Sequence, residues 1–150
     1  MTYKNKAKTS LENFDDIYYI GGMYKGLRFW DRAELIEMIE DACEFLGVEH
    51  KTRLQEMIDT SMIISGEDWS HNPWYDDILW MIGAFYRAAE ILDNPKYYDI
   101  AKANFDYITN SAIMDNGLVN WKKGVYQPCS VSTLNYVINA CRFYKSTGEE

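Results

Sequence analysis

The sequence of 150 residues has few prolines, no long apolar run and no excess of basic charge. Its 3 Pro, 9 Gly and 47% hydrophobic residues exclude a disordered or linker-dominated chain. The longest uninterrupted apolar run, residues 78–86, is far shorter than the ~20 residues that span a bilayer, so we expect no membrane partner. Length and composition together indicate one domain, covering residues 1–150.

Basic residues are outnumbered, since 15 Lys and Arg face 23 Asp and Glu, for a net charge of −8. We expect no nucleic-acid partner, because neutralising phosphates requires clustered cations. The three cysteines (Cys43, Cys129 and Cys141) have no metal-ligand spacing and predict free thiols. Residues 1–15 show no signal peptide, which leaves localisation open between a cytoplasmic protein and an exported one without its leader.

Helical periodicity runs along the whole chain and predicts an all-α fold. The predicted helices cover residues 30–46, 51–64, 76–92, 96–109 and 130–146, with a shorter one within residues 2–14. Residues 76–92 are apolar on nearly every side, which predicts a helix buried all round. The one strand candidate, residues 117–126, predicts a short ribbon.

The helix ends recur about every 50 residues, which is typical of stacked helical pairs. Helices 30–46, 76–92 and 130–146 would form one layer, and the other three a second layer. Such pairs make an open solenoid or a closed α/α toroid. In a toroid the loops that lead into the inner helices (residues 21–29, 66–75 and 114–128) open on one face, where binding residues are expected.

The aromatic content of 15%, with 5 Trp, 12 Tyr and 6 Phe, fits either a heavily packed core or surfaces that stack on sugar rings. Phe45, Phe85, Phe105 and Phe143 fall on apolar helix stripes and predict core positions. Most of the tryptophans lie instead at the loop ends of the predicted inner helices.

Two adjacent carboxylates, Asp76 and Asp77, stand where a loop becomes the buried helix. Glycoside hydrolysis uses two carboxyl groups that flank the scissile bond, and their pKa values must differ. The alternative is ordinary capping, because Asp is common at helix N-termini. The flanking Trp74, Tyr75 and Trp80 favour the carbohydrate interpretation, since sugars stack on aromatic faces.

Two further segments carry aromatic residues beside polar ones. Asn120 and Trp121 form either a sugar subsite or a turn with a tryptophan packed beneath it. Trp30 opens an inner helix and lines either the cleft or the core. His50 and His71 are too far apart to suggest a metal pair, and there is no phosphate loop, nucleophile elbow or cysteine metal site. We therefore expect no cofactor and no metal.

These residues, in this order, resemble glycoside hydrolase family 76, the α-1,6-mannanases built on an (α/α)6 barrel. The resemblance rests on Trp30, Tyr75-Asp76-Asp77-x-x-Trp80, Asn116-Gly117…Trp121 and Thr147-Gly148-Glu149. It implies a retaining hydrolase of α-1,6-linked mannan, with Asp76 as nucleophile and Asp77 as general acid/base. It also implies an oligo- or polysaccharide substrate bound by the following residues: Trp30, Asn72, Trp74, Tyr75, Trp80, Asn120 and Trp121.

The sequence departs from the family in two ways. Residues 116–121 carry one glycine where the family commonly shows Gly-Gly followed by an aromatic residue and Trp. Only about three of six helix pairs are present, and the chain looks cut inside a hairpin loop at residues 147–150. Half a toroid exposes an apolar edge, which predicts either a truncated chain or a homo-oligomer that completes the ring.

Two other functions stay open at this point. One is a related α/α-toroid enzyme, such as an unsaturated-uronide hydrolase or a sugar epimerase. An epimerase would need paired catalytic histidines on inner helices, whereas His50 and His71 lie in predicted loops. The other is a non-catalytic helical-repeat binding protein in which Asp76 and Asp77 only cap a helix.

Overall fold

Six α-helices make up most of residues 2–148, the part of the chain that this computed structural model describes. They are α1 (Tyr3–Tyr18), α2 (Phe29–Phe45), α3 (Lys51–Ser65), α4 (Tyr75–Leu92), α5 (Pro95–Ser111) and α6 (Ser130–Thr147). All six predicted helices are confirmed, and α1 extends beyond the range expected for it. Gly148 ends α6 in a left-handed conformation, with φ 69°, whereas Glu149 of the predicted closing motif lies outside the described residues.

The connection between α4 and α5 shows how the sequence sets the helix boundaries. Asp93 ends α4 in a left-handed conformation, with φ 53°. Asn94 then caps α5, since its Oδ1 accepts a hydrogen bond from the Lys96 N–H across 3.2 Å. Pro95 occupies the first helical position, where its missing N–H costs nothing. This tight turn joins α4 and α5 into a helical hairpin.

The helices α2 to α6 form the two layers that the periodicity predicts. α4 packs between α2 and α6, and these three make the inner layer. α3 packs behind α2 and α4, and α5 packs behind α4. The apolar side chains of α4 are buried on nearly every side, which confirms its predicted central place.

Irregular segments differ more from the predictions than helices do. Tyr19–Ile20 and Met23–Tyr24 form a small antiparallel hairpin, β1 and β2, that was not predicted. Gly21 and Gly22 turn it with φ of 61° and 86°, and a Gly-Gly pair between apolar residues is a known signal for such a turn. The prediction of a short ribbon over residues 117–126 is wrong, because the described residues there make only isolated β-bridges and no strand.

The helix α6 buries a different face from the one that its apolar periodicity predicts. The prediction places Val131, Leu134, Val137, Ile138 and Cys141 inside, yet all five are exposed, Leu134 by 63%. The buried face carries Ser132, Asn135, Asn139 and Phe143. Asn139 explains part of the difference, since its Nδ2 donates to the backbone carbonyl of Leu79 on α4 across 3.0 Å.

An apolar stripe of α6 thus lies open at one edge of the helix array, as expected for half a toroid. Self-association through this edge stays a prediction. Phe85, Phe105 and Phe143 are buried as predicted, whereas Phe45 is 69% exposed at the end of α2. The three cysteines are unpaired, as predicted. Within residues 2–148 no helix is both long enough and apolar enough to cross a membrane.

Candidate active site

Asp76 and Asp77 lie in the first turn of α4 and line one open cleft of about 480 Å³. We call it the Asp cleft, and its lining residues are Arg28, Trp30, Trp74, Asp76, Asp77 and Trp121. Each of the three long loops supplies one wall residue: Arg28 from residues 21–29, Trp74 from residues 66–75 and Trp121 from residues 114–128. This confirms that the loops leading into the inner helices open on one face.

Backbone hydrogen bonds tie the third loop to the start of α4. The Tyr75 N–H donates to the carbonyl of Trp121, and the Lys123 N–H donates to the carbonyl of Pro73, each across 2.9 Å. The indole of Trp121 is thereby held against Asp76, and its Nε1–H donates to Asp76 Oδ2 across 3.0 Å. The other oxygen, Asp76 Oδ1, is buried without a hydrogen-bond partner among the described residues.

Asp77 has different partners. Its Oδ2 accepts a long hydrogen bond, 3.4 Å, from Nδ2 of Asn72. Asn72 is itself buried, and its Oδ1 accepts from the backbone N–H of Trp74 across 3.0 Å. The amide of Asn72 therefore bridges the second loop and the carboxyl of Asp77, and fixes the position of both.

Burial raises the pKa of both carboxyls, because leaving water disfavours the charged form. The pKa of Asp77 rises to about 6, with the charge of Asp76 adding to burial while Asn72 and Arg28 oppose it. For Asp76 the Trp121 N–H is the main group that opposes the rise in pKa. Asp77 can therefore hold a proton in mildly acidic solution, and Asp76 has a donor that favours its ionised form.

Aromatic rings and cations form the walls of the Asp cleft. The rings of Trp74 and Trp121 pack with centroids 4.7 Å apart at 49°. Lys122 Nζ lies 4.4 Å from the centroid of the Trp74 ring. The guanidinium of Arg28 lies 5.0 Å from the Trp30 ring, and its Nε pairs with Asp31 across 3.0 Å. The charge of Arg28 lowers the pKa of Asp77 and so offsets part of the negative charge of the carboxyl pair.

The remaining predicted residues lie outside the lining of the Asp cleft. Tyr75 is only 6% exposed, and its hydroxyl donates to the carbonyl of Ser111 across 3.2 Å. Asn120 shapes its own loop, since its Oδ1 accepts from the Gln127 N–H across 2.9 Å. Trp80 lies one turn further along α4, at a second and smaller cavity.

Arg28 lines the cleft although no sequence motif singled it out. The only sequence feature that could have indicated a role for Arg28 in the cleft is its place in the first long loop, two residues before Trp30. Trp69, which also lies in a long loop, is 1% exposed and belongs to the core. A tryptophan in a loop is therefore not by itself a sign of the binding surface.

Solved structures share this fold over nearly the whole chain. The GH76A α-1,6-mannanase of Salegentibacter sp. HEL1_6 superposes with a TM-score of 0.87 at 16% identity, over 99% of this chain and 47% of that one. The fold is that of about half a family 76 mannanase. The resemblance predicted from the sequence is thus confirmed at the level of the fold, which is all-α and like that of an α/α toroid.

Three other solved structures also match this chain. Inactive variants of the Salegentibacter enzyme, with two consecutive aspartates replaced by asparagine or alanine, were solved with α-1,6-mannotriose and α-1,6-mannotetrose. A Listeria innocua protein matches with a TM-score of 0.86 at 16% identity, over 99% of this chain and 48% of that one. No protein-family model matches the sequence, and comparison with curated proteins gives no match.

Proposed function

We propose that this chain carries the catalytic carboxyl pair of a glycoside hydrolase that acts on α-1,6-linked mannan. The observation that carries the proposal is the placement of Asp76 and Asp77 in one aromatic-walled cleft, each with its own partner. A fold shared with an α-1,6-mannanase supports it. So do the inactive variants of that enzyme, in which two consecutive aspartates are replaced.

The different environments of the two carboxyls suit the two roles of a retaining mechanism. Protonated Asp77 donates its proton to the departing glycosidic oxygen while an oxygen of ionised Asp76 attacks the anomeric carbon. The bond to the leaving oxygen breaks, and a covalent glycosyl ester forms on Asp76. Ionised Asp77 then takes a proton from water, whose oxygen attacks the anomeric carbon and releases Asp76.

The walls of the Asp cleft would bind the sugar rings. Trp30, Trp74 and Trp121 present aromatic surface at the carboxyl pair, and the apolar faces of pyranoses pack on such rings. Asn72 holds Asp77 and thus supports the acid/base rather than the sugar directly. Tyr75 and Asn120 serve the same site by fixing the loops that carry Trp74 and Trp121.

The test is hydrolysis of α-1,6-mannan by the full chain, followed as released reducing ends. Asp76→Asn and Asp77→Asn should each lower turnover by about 10³-fold or more, because each role needs an ionisable carboxyl. Asp16→Asn is the matched control, since Asp16 is exposed on α1. Turnover that is unchanged in both cleft variants would refute the catalytic assignment. Binding of mannotriose without any turnover would instead support a non-catalytic carbohydrate-binding protein.

A further inference from the structure

Lys123 lies in the third long loop, two residues after Trp121, and its side chain reaches the second long loop. Its ammonium group donates a hydrogen bond to the backbone carbonyl of Ser70, although 53 residues separate the two in the sequence. Its own backbone N–H donates to the carbonyl of Pro73 across 2.9 Å. Lys123 therefore holds the second loop at two points, one through its side chain and one through its backbone.

The ammonium of Lys123 also contacts the helix α5. Its Nζ lies 5.2 Å from the centroid of the Tyr107 ring, which is half-buried against the core. Among the described residues no carboxylate lies within ion-pair distance of Lys123. The positive charge is instead bound by a carbonyl oxygen and an aromatic face, and the two contacts together fix the direction of the side chain.

The two carbonyls that Lys123 binds stand at the ends of residues 70–73, the segment that carries Asn72. Asn72 is the residue whose Nδ2 donates to Oδ2 of Asp77 across 3.4 Å. Because residues 70–73 are held at both ends, this segment cannot move away from α4 without breaking a contact of Lys123. The distance between Asn72 and Asp77 therefore depends on Lys123.

The third loop is held by the same contacts. Trp121, two residues before Lys123, donates its Nε1–H to Oδ2 of Asp76 across 3.0 Å. The carbonyl of Trp121 accepts from the Tyr75 N–H at the start of α4, and Lys123 adds its two bonds to the second loop. The position of the indole against Asp76 therefore also depends on Lys123.

We propose that Lys123 is a positioning residue of the Asp cleft, which holds the hydrogen-bond donors of both carboxyls in place, Asn72 for Asp77 and Trp121 for Asp76. This inference rests on the proposed function, because a two-carboxyl mechanism needs two different environments. Among the described residues Lys123 bonds to neither carboxyl, so its effect on them passes through Asn72 and Trp121.

The test measures the two carboxyls directly, by carbon NMR of the full chain, and so does not depend on hydrolysis. Lys123→Met removes the ammonium and keeps an unbranched side chain. Asn72 and Trp121 each lower the pKa of the carboxyl that they contact, so the pKa values of Asp77 and Asp76 should both rise. The expected rise is about 0.5–1 for each, the equivalent of one weakened hydrogen bond.

Activity gives a second measurement in the same variant. Hydrolysis of α-1,6-mannan by Lys123→Met should show a kcat/KM profile whose alkaline limb lies at higher pH than in the parent, by the same amount as the pKa of Asp77. A contact that only stabilised the fold would lower the unfolding temperature without moving this limb.

Three further variants complete the experiment. Lys123→Arg should keep the parental pKa values, because a guanidinium can also donate to a carbonyl and lie on an aromatic ring. Tyr107→Leu removes the ring beside the ammonium and should raise both pKa values by less than Lys123→Met does. Lys96→Met is the matched control and should change neither value, since Lys96 contacts the second loop through Glu67, across 2.7 Å, outside residues 70–73.

Unchanged pKa values of Asp76 and Asp77 in Lys123→Met would overturn the proposal, as would an equal rise in Lys96→Met. If Lys123→Met does not fold, Tyr107→Leu decides in its place, and parental pKa values there would overturn the proposal. Raised pKa values in a chain whose parent never hydrolyses mannan would support the positioning role and refute the proposed hydrolase.

Discussion

The indole N–H of Trp121 donates to Oδ2 of Asp76 across 3.0 Å, although 45 residues separate the two in the sequence. The contact exists because the loop before α6 is bonded to the start of α4. The two adjacent aspartates therefore have different hydrogen-bond partners, the indole N–H of Trp121 for Asp76 and the amide of Asn72 for Asp77. A two-carboxyl mechanism requires such different environments, because the pKa values of the two carboxyls must differ.

Replacing Trp121 by phenylalanine should raise the pKa of Asp76, because it removes the N–H that favours the carboxylate while keeping an aromatic ring. Turnover should fall by about 10- to 100-fold, the effect expected for losing one hydrogen bond to a charged group. The pKa is measured by carbon NMR of the Asp76 carboxyl. Trp74→Phe is the control for the pKa measurement alone, since Trp74 packs on Trp121 without bonding Asp76 but also lines the Asp cleft. An unchanged pKa in Trp121→Phe would contradict this role.

The activity should depend on the protonation of Asp77. As the general acid it must hold a proton, so kcat/KM should fall as the pH rises through about 6. Arg28→Gln removes a charge that lowers the pKa of Asp77, and should move this limb of the profile to higher pH. Profiles of parent and variant between pH 4 and 8 check both statements. A limb that stays in place in Arg28→Gln would show that Asp77 is not the titrating group.

Asp77 should also make the folded chain less stable at higher pH. Because its pKa is raised to about 6 on folding, the folded state binds the proton more tightly than the unfolded state. Stability is therefore greatest below the unfolded pKa of about 4 and is lost as the pH rises through about 6. Asp77→Asn should add about 1 kcal/mol at pH 8, an amount reduced for solvent screening of a half-buried group, and nothing near pH 3.

Urea unfolding at both pH values measures this difference for Asp77→Asn. Asp16→Asn, on the exposed side of α1, should change the free energy of unfolding by less than about 0.5 kcal/mol at either pH. If Asp77→Asn raised the free energy of unfolding equally at both pH values, removal of the buried charge could not be the cause of the increase.

Glu40 is a second buried carboxyl, fully enclosed, and neither oxygen has a hydrogen bond among the described residues. Its one ion-pair contact is long, 3.7 Å to Nη1 of Arg87. Burial holds the pKa of Glu40 well above its usual range, so its contribution to stability is present at low pH and lost as the pH rises. Glu40→Gln should raise the unfolding temperature at pH 8 and leave it unchanged near pH 4.

Glu44→Gln is the matched control for Glu40→Gln. Glu44 pairs with Arg87 across 2.9 Å at the surface, and such pairs contribute at most about 1 kcal/mol. Thermal unfolding followed by circular dichroism checks both variants. A lower unfolding temperature for Glu40→Gln at pH 8 would mean that the ion pair with Arg87 outweighs the cost of burying the charge.

The sequence allowed the helices and their layers to be predicted because periodicity reports which side of a helix is apolar. It also placed Asp76 and Asp77 correctly at the loop end of a buried helix. It failed for α6, since an apolar stripe does not reveal whether a neighbouring element covers it. There the polar side of the helix packs inward, through a hydrogen bond from Asn139 to a backbone carbonyl.

Loop side chains were harder to predict, because no periodicity fixes their direction. Trp74 and Tyr75 are neighbours in sequence, yet Trp74 lines the Asp cleft and Tyr75 is buried against α5. Arg28 lines the cleft because of the conformation of its loop, and that conformation could not be predicted from the residue types in the loop. The contact between Trp121 and Asp76 joins two segments that are distant in the sequence, so it could be identified only from the structure.

The most direct test of the central claim is the anomeric configuration of the first sugar released from α-1,6-mannotetraose, followed by proton NMR before mutarotation. A retaining reaction through Asp76 and Asp77 predicts that the α-anomer is released first, and that neither Asp76→Asn nor Asp77→Asn releases it at a comparable rate. Initial release of the β-anomer, or equal release of product by both variants and the parent, would contradict the account.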